Sequence, residues 1–187
     1  KFIMEPQSGM TVVPGKVGNS PMESVVEFSG LASDSRDVKP GYLFAALSGA
    51  RANGAAFMSD AVKRGAVAVL ATPDARKDAE RLGVRFIADA NPRRAFAHIA
   101  ASFFPTFPAT CVAVTGTNGK TSTVEMTRQL WRMAGFHAAS IGTLGVTAGD
   151  DRVVTGLTTP DIVTFLSNMA GLAAEGVTHA AFEASSH

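Results

Sequence analysis

A loop rich in glycine and hydroxyl side chains follows a short apolar run near the middle of the chain. The run VAVT leads into TGTNGKTS, and the spacing after it predicts a helix from Thr121 to Ala134. Glycines let backbone N–H groups turn toward an anion, and a helix N-terminus adds positive potential. Lys120, the candidate catalytic residue, would contact nucleotide phosphates, and the Thr121 hydroxyl would bind Mg²⁺. The predicted ATP site comprises Thr115, Gly116, Thr117, Asn118, Gly119, Lys120, Thr121 and Ser122.

This loop departs from the strict phosphate-binding pattern G-x-x-x-x-G-K-[ST]. The pattern places glycine where the chain has Val114, so the match is the shorter G-x-x-G-K-T. The alternative is a glycine-rich turn with a solvated lysine. The strand before the loop and the helix after it favour phosphate binding over that alternative. A dinucleotide site is disfavoured, because no G-x-G-x-x-G follows the strand.

A carboxylate, Glu183, ends a buried apolar segment near the end of the sequence. The letters HAAF precede it and ASS follows it. Ligands of open α/β sheets bind at the carboxyl ends of the strands, so Glu183 would lie beside the Mg²⁺ of the nucleotide. Carboxylate oxygens suit this hard cation. The alternative is a surface charge at a strand end, which the apolar flanks disfavour. Thr121 and Glu183 are therefore the candidate metal ligands.

Composition limits the classes of partner. The chain has 187 residues, of which 46% are hydrophobic and 18% charged, enough apolar material for a core. Its formal net charge of +1 gives no indication of nucleic acid or an anionic membrane as partner. With Cys111 as its one cysteine, the chain has no internal disulfide framework and fits a reducing cytosol. No apolar run is long enough to span a membrane or to form a signal peptide, so we expect a cytoplasmic protein. We also expect the protein to be a monomer.

The elements that must position these residues alternate between strand and helix. GYLFAAL, AVAVLA and VRFIAD are predicted strands, with a helix at 56–64 and another opened by Asn91 and Pro92. SFFPTFPAT indicates a linker, which predicts an N-terminal domain over 1–108 and a second domain over 109–187.

In the second domain, HAASIGTL and THAAFEASSH are predicted strands. A helix is expected between them, with Thr159 as its cap, Pro160 in its first turn and Gly176 at its end. The alternation predicts an α/β fold with a parallel sheet. The second segment is short for a nucleotide domain, so we expect it to be the first half of one, truncated.

Three separated motifs resemble the Mur ligase family. TGTNGKTS is similar to the ATP loop of these ligases and of their folylpolyglutamate synthetase relatives. LTTPD and EASSH resemble the MurE-type branch, which acts on UDP-N-acetylmuramoyl-dipeptide, and SDSRDVKPGYLFAALSGARANG resembles its N-terminal uridine-binding domain. The resemblance implies a small α/β uridine-binding domain followed by the first half of a P-loop parallel-sheet ATPase domain.

Site residues carry over from that resemblance position by position. It implies that Thr121 and Glu183 lie near Mg²⁺. Substrate contacts are implied for two groups of residues, one against the uridine and one against the muramoyl-peptide: Ser33, Ser35, Ala50, Arg51 and Ala52, and Thr158, Thr159 and Ser185.

The implied reaction consumes ATP to join a diamino acid to UDP-N-acetylmuramoyl-L-alanyl-D-glutamate, in peptidoglycan synthesis and hence in cell shape and division. We expect the diamino acid to be meso-diaminopimelate, with lysine left open because the selecting residues are expected beyond the chain. The resemblance also implies that the carboxylated lysine, the adenine contacts and the amino-acid-binding domain lie beyond the chain, which is therefore expected to be inactive alone. The alternatives are a regulatory P-loop nucleotide-binding module, a stand-alone nucleotide-sugar-binding domain, and another ligase of the Mur and folylpolyglutamate synthetase superfamily.

Overall fold

The computed structural model describes residues 11–12, 26–49, 53–153 and 160–185. The chain divides into two compact units, and it passes from one to the other between Phe103 and Phe104. Each unit has its own sheet. The assignment of 1–108 and 109–187 to two functional domains remains a prediction. No helix in the described ranges is long and apolar enough to cross a membrane.

The strands of the first unit are β1 (Thr11–Val12), β2 (Val26–Glu27), β3 (Gly30–Ala32), β4 (Tyr42–Ala45), β5 (Ala68–Ala71) and β6 (Arg85–Ala88), and its helices are α1 (Met58–Lys63), α2 (Arg76–Arg81) and α3 (Pro92–Phe103). The unit is built on a four-stranded parallel sheet in the order β3-β4-β5-β6. The core consists of buried apolar residues from the strands and α1, including Phe44, Met58, Ala61 and Val69.

Local sequence explains why these elements begin and end where they do. Asn91 caps α3, since its Oδ1 accepts a hydrogen bond from the amide of Arg94 at 3.1 Å, and Pro92 takes the first helical position, as predicted. Gly65 follows α1 with a φ of 101°, a conformation that favours glycine. Helix α2 was not predicted, because RKDAER carries too few apolar positions for a helical stripe.

The elements of the second unit are β7 (Thr110–Val114), α4 (Lys120–Met133), β8 (Ala138–Gly142), β9 (Gly145–Ala148), β10 (Asp151–Val153), α5 (Ile162–Ala174) and β11 (His179–Glu183). Its strands form a five-stranded mixed sheet in the order β10-β9-β8-β11-β7. β11 lies between β7 and β8 and is parallel to both, which confirms the α/β class. β9 and β10 are antiparallel strands that were not predicted. They form because the turn after β8 is short enough for a hairpin.

Two expectations about the helices of this unit were wrong. Helix α5 is capped by Asp161, which accepts hydrogen bonds from the amides of Val163 at 2.9 Å and Thr164 at 3.1 Å. Thr159 was the predicted cap and lies outside the described residues. The aspartate takes the role because its carboxylate reaches the free amides of the first turn of the helix.

The apolar face of α4 is the second correction. Met126, Leu130 and Met133 follow helical spacing, which predicts that they are core residues, yet they are 56%, 64% and 84% exposed. The helix packs on β8 and β11, and the positions it buries are Val124 and Arg128. Spacing predicts an apolar stripe on a helix but not which face meets the sheet, and here a charged residue lies on the buried face.

Candidate functional site

The glycine loop connects the end of β7 to the start of α4, as the sequence predicts. Gly116 has a φ of 140° and Gly119, which caps the helix, has a φ of 79°. Both values lie in the region where residues with a Cβ are strained, so the loop needs glycine at these positions. The first intrahelical bond runs from the Thr123 amide to the Gly119 carbonyl at 2.9 Å. The amides before it point out of the helix start, where an anion can bind.

The ammonium group of Lys120 is held over this loop. Its Nζ donates hydrogen bonds to the carbonyl oxygens of Gly116 at 2.6 Å and Thr117 at 3.4 Å. The lysine is partly buried, as is Thr121, while the other loop residues from Gly116 to Gly119 are exposed. A cation and a helix N-terminus therefore lie together around an open glycine loop, an arrangement suited to polyphosphate.

Glu183 lies at the same end of the sheet as this loop. It is opposite Val114 in the pairing of β11 with β7, and the amide of Ala184 donates to the Val114 carbonyl at 2.9 Å. The residue is only 4% exposed. Burying a carboxylate is costly unless partners hold it, so this position is not that of an incidental surface charge.

The turn after β8 supplies hydrogen-bond partners for that carboxylate. Oε1 of Glu183 accepts a hydrogen bond from the amide of Thr143 at 2.9 Å, and Oε2 of Glu183 accepts one from the Thr143 hydroxyl at 3.3 Å. Next to it, a Cβ added to Gly142 would come within 2.1 Å of Glu183 Oε1. Sequence reasoning missed both residues. The letters IGTLG, glycine and threonine directly after a buried strand, were the available signal.

The residues around the loop fit a bound Mg²⁺ ion. The described parts of the chain contain no group of three or more His, Cys, Asp or Glu residues that could hold a metal by themselves. Mg²⁺ does not need such a group, because it is held by one or two protein oxygens together with phosphates and water. The buried carboxylate of Glu183 and the hydroxyl of Thr121 are hard oxygen donors at one end of the sheet. Binding of the ion by this pair remains a prediction.

In the first unit, Ser33 and Ser35 directly follow β3, and Ser35 is buried. Strands β3 and β4 are parallel neighbours, so the segments after them lie at one edge of the sheet. The segment after β4 contains Ala50, Arg51 and Ala52, which lie outside the described residues. The start of this segment is held by Arg93, whose Nη2 donates a hydrogen bond to the Ser48 carbonyl at 3.1 Å.

Charged side chains flank Ser35. Arg36 donates hydrogen bonds to both oxygens of Asp34 and lowers the pKa of that carboxyl to about 2. Since the Arg36 side chain is 81% exposed, this ion pair adds little stability. The Ser35 hydroxyl, followed by Arg64, lowers the pKa of the Asp60 carboxyl. The serine is thus placed beside fixed negative charge at the carboxyl edge of the sheet.

The predicted muramoyl-peptide contacts are only partly described. Ser185 follows Glu183 by two residues and is partly buried at the end of β11. Thr158 and Thr159 lie outside the described residues. The structure therefore brings Ser185, Glu183 and the phosphate loop to one end of the second sheet, and it places Ser33 and Ser35 at the carboxyl edge of the first.

An ion pair between a buried arginine and a partly buried glutamate supports the helix that follows the loop. Both Nε and Nη2 of Arg128 donate to the Glu125 carboxylate, which also accepts from Gln129 and from Ser140. The Arg128 guanidinium, helped by Gln129, lowers the pKa of Glu125 to about 2. Sequence analysis did not single out this pair, whose i, i+3 spacing is also common on exposed helix faces.

Comparison with known families matches both units. The model described as "Mur ligase family, catalytic domain" matches residues 27–104, and that described as "Mur ligase middle domain" matches 114–187. Among curated proteins, the chain is 48% identical over 170 residues to the UDP-N-acetylmuramoyl-L-alanyl-D-glutamate–2,6-diaminopimelate ligase of Zymomonas mobilis. It is 51% identical over 169 residues to the ligase of that name from Bradyrhizobium diazoefficiens. These alignments cover 91% and 89% of the chain but 34% of each relative, so the chain spans about a third of their length.

Solved structures give the same fold. A structure of a UDP-N-acetylmuramoyl-L-alanyl-D-glutamate–2,6-diaminopimelate ligase superposes with a TM-score of 0.72 and 28% identity, covering 95% of this chain and 37% of that one. MurF from Acinetobacter baumannii superposes with a TM-score of 0.53 at 20% identity over 88% of this chain and 32% of its own, a likeness of fold alone.

Proposed function

The chain belongs to the Mur ligase family, a family of ATP-dependent ligases, and on that premise we propose that its site serves amide formation in peptidoglycan precursor synthesis. The proposed substrates are UDP-N-acetylmuramoyl-L-alanyl-D-glutamate, ATP and diaminopimelate, in its meso form. The observation that carries the proposal is the buried carboxylate of Glu183 beside the lysine-bearing glycine loop. The chain spans about a third of its relatives' length. We therefore propose the complete reaction for a protein of the relatives' full length.

The proposed reaction has two steps. A carboxylate oxygen of the D-glutamyl residue attacks the γ-phosphorus of ATP, and ADP leaves. The amine of diaminopimelate then attacks the resulting acyl phosphate at carbon, inorganic phosphate leaves, and the nitrogen loses a proton as the amide forms. Both steps bring anions together, so catalysis depends on positioned positive charge.

This chain's residues would hold and orient the reactants. The loop amides and Lys120 would bind the phosphates, since the ammonium already lies against the Gly116 carbonyl. Thr121 and Glu183 would hold Mg²⁺, which when bound neutralises charge on the phosphates. The uridine would bind beside Ser33, Ser35 and residues 50–52, and the muramoyl-peptide beside Ser185, Thr158 and Thr159. We propose that the protein is a monomer and that it acts in the cytoplasm, where these precursors are made.

Calorimetric titration of the chain with UDP-N-acetylmuramoyl-L-alanyl-D-glutamate tests this function, with UDP-glucose as the comparison ligand. We expect saturable binding that prefers the muramoyl ligand and weakens in Ser35→Ala. Ser102→Ala, which alters an exposed hydroxyl on α3, is the matched control and should bind normally. Binding of ATP with no preference for uridine sugars would contradict the proposal and favour a regulatory nucleotide-binding module.

A further inference from the structure

We infer that Thr143 is a positioning residue for Glu183. Its backbone amide donates to Oε1 at 2.9 Å, and its hydroxyl donates to Oε2 at 3.3 Å. One residue thus contacts both oxygens of the carboxylate. Such a pair of bonds fixes the rotation of the carboxylate about its last side-chain bond, which a single bond does not.

The residue before Thr143 shapes the space in which that carboxylate lies. A Cβ on Gly142 would approach Glu183 Oε1 at 2.1 Å, its Cδ at 2.7 Å and its Cγ at 2.8 Å. All three distances are well inside normal contact, so a side chain at position 142 would displace the end of the glutamate. Glycine is needed here for close approach, since its φ is not in the left-handed region.

The hairpin that carries Thr143 is itself fixed by the core. Gly142 pairs with Gly145 across a turn of two residues, Thr143 and Leu144, and the next pair inward joins Ile141 to Val146. Ile141 is 2% exposed and Val146 is 1% exposed, and both belong to the core cluster of this unit. A donor mounted on a short turn above a packed core moves little, so the position of the hydroxyl is defined by the fold.

This role rests on the proposed function, in which Glu183 helps to bind Mg²⁺. Groups that hydrogen-bond a metal ligand orient it, and replacing them typically lowers metal affinity about 10- to 100-fold. Thr143 occupies that place relative to Glu183 without needing to touch the ion. Loss of the Thr143 hydroxyl should therefore lower metal affinity, while nucleotide binding in the absence of metal stays unchanged.

The test measures Mn²⁺ binding to the chain by electron paramagnetic resonance, with a non-hydrolysable ATP analogue present. Thr143→Val keeps the shape of the side chain and removes the hydroxyl, whereas Thr143→Ser keeps the hydroxyl. We expect Mn²⁺ affinity to fall about 10-fold in Thr143→Val and to be largely retained in Thr143→Ser. Thr147→Val makes the same chemical change on β9 of the same hairpin and is the matched control.

Gly142→Ala tests the same geometry independently of the hydroxyl, and circular dichroism confirms that each variant is folded. The inference predicts weakened Mn²⁺ binding in Gly142→Ala, with analogue binding in the absence of metal preserved. Wild-type Mn²⁺ affinity in folded Thr143→Val would overturn the positioning role while leaving the proposed function standing. Absence of both analogue and Mn²⁺ binding in the unsubstituted chain would overturn the proposed function and this inference with it.

Discussion

Glu183 stands opposite Val114 in the parallel pairing of β11 with β7, and Val114 is the last residue before the phosphate loop. The sheet ladder therefore sets the distance between the buried carboxylate and the loop. β11 follows the loop by a helix, a hairpin and a second helix, so residues far apart in sequence are joined by backbone hydrogen bonds. The consequences of this placement can be measured.

Removing the charge of Glu183 should weaken the effect of Mg²⁺ on ATP binding. In Glu183→Gln, the amide oxygen is a poorer metal ligand than a carboxylate, so we expect the gain in ATP affinity on adding Mg²⁺ to fall at least about 10-fold. Affinity without Mg²⁺ should change little. Calorimetry with and without MgCl₂ measures both, and Glu80→Gln on the exposed face of α2 is the control. An undiminished Mg²⁺ effect would remove Glu183 from the metal site.

Lys120 should be needed for nucleotide affinity itself. Its Nζ lies 2.6 Å from the Gly116 carbonyl, at the loop that would bind the phosphates. A hydrogen bond to a charged group contributes about 1.5–3 kcal/mol, so Lys120→Ala should lower ATP affinity at least about 10-fold. Lys77→Ala, on α2, should bind ATP normally in the same titration. Equal affinities of the two variants would contradict phosphate binding by this loop.

The pair of Glu125 and Arg128 should make the stability of the chain depend on pH. The folded state lowers the pKa of Glu125 from 4.5 to about 2, so its stabilisation is present above the unfolded value and is lost as pH falls toward 2. The Arg128 side chain is 8% exposed, and removing the partner of a buried charge costs about 3–5 kcal/mol.

Glu125→Gln should therefore be less stable than the unsubstituted chain by about 3 kcal/mol at pH 7, and the gap should narrow between about pH 5 and 2. Urea unfolding at several pH values measures it. Asp150→Asn serves as the control, because Asp150 is 97% exposed in its pair with Arg132 and its loss should leave the midpoint unchanged. If the difference in unfolding free energy between the two chains stays constant with pH, the Glu125 carboxylate is not the titrating group.

The exposed face of α4 predicts a contrast between two substitutions on one helix. Met133 is 84% exposed and Val124 is 3% exposed. Met133→Ala should change the free energy of unfolding by less than about 0.5 kcal/mol, whereas Val124→Ala should cost about 2 kcal/mol through lost burial and a cavity. Denaturant unfolding of the two variants compares them. A larger cost for Met133→Ala would show that this face of the helix is covered in solution.

Short-range patterns predicted much of the architecture. Strands β4, β5, β6, β8 and β11 and helices α3 and α4 were expected close to their observed bounds, because apolar runs and glycine stops are local signals. Asn91 and Pro92 predicted the start of α3 for the same reason: capping depends on a few neighbouring residues. The antiparallel β9 and β10 were missed, since a hairpin on the edge of a parallel sheet has no signal in the βαβ alternation.

By itself, the sequence determined the composition of the phosphate loop, the α/β class and the family resemblance, because these depend on residue type and order along the chain. Only the tertiary structure decided what depends on which elements meet. It placed Met126 outside and Arg128 inside, since the face of α4 that is buried is set by the sheet beneath it. It also brought Thr143 to Glu183, forty residues apart in sequence, because β8 and β11 pair side by side and end together.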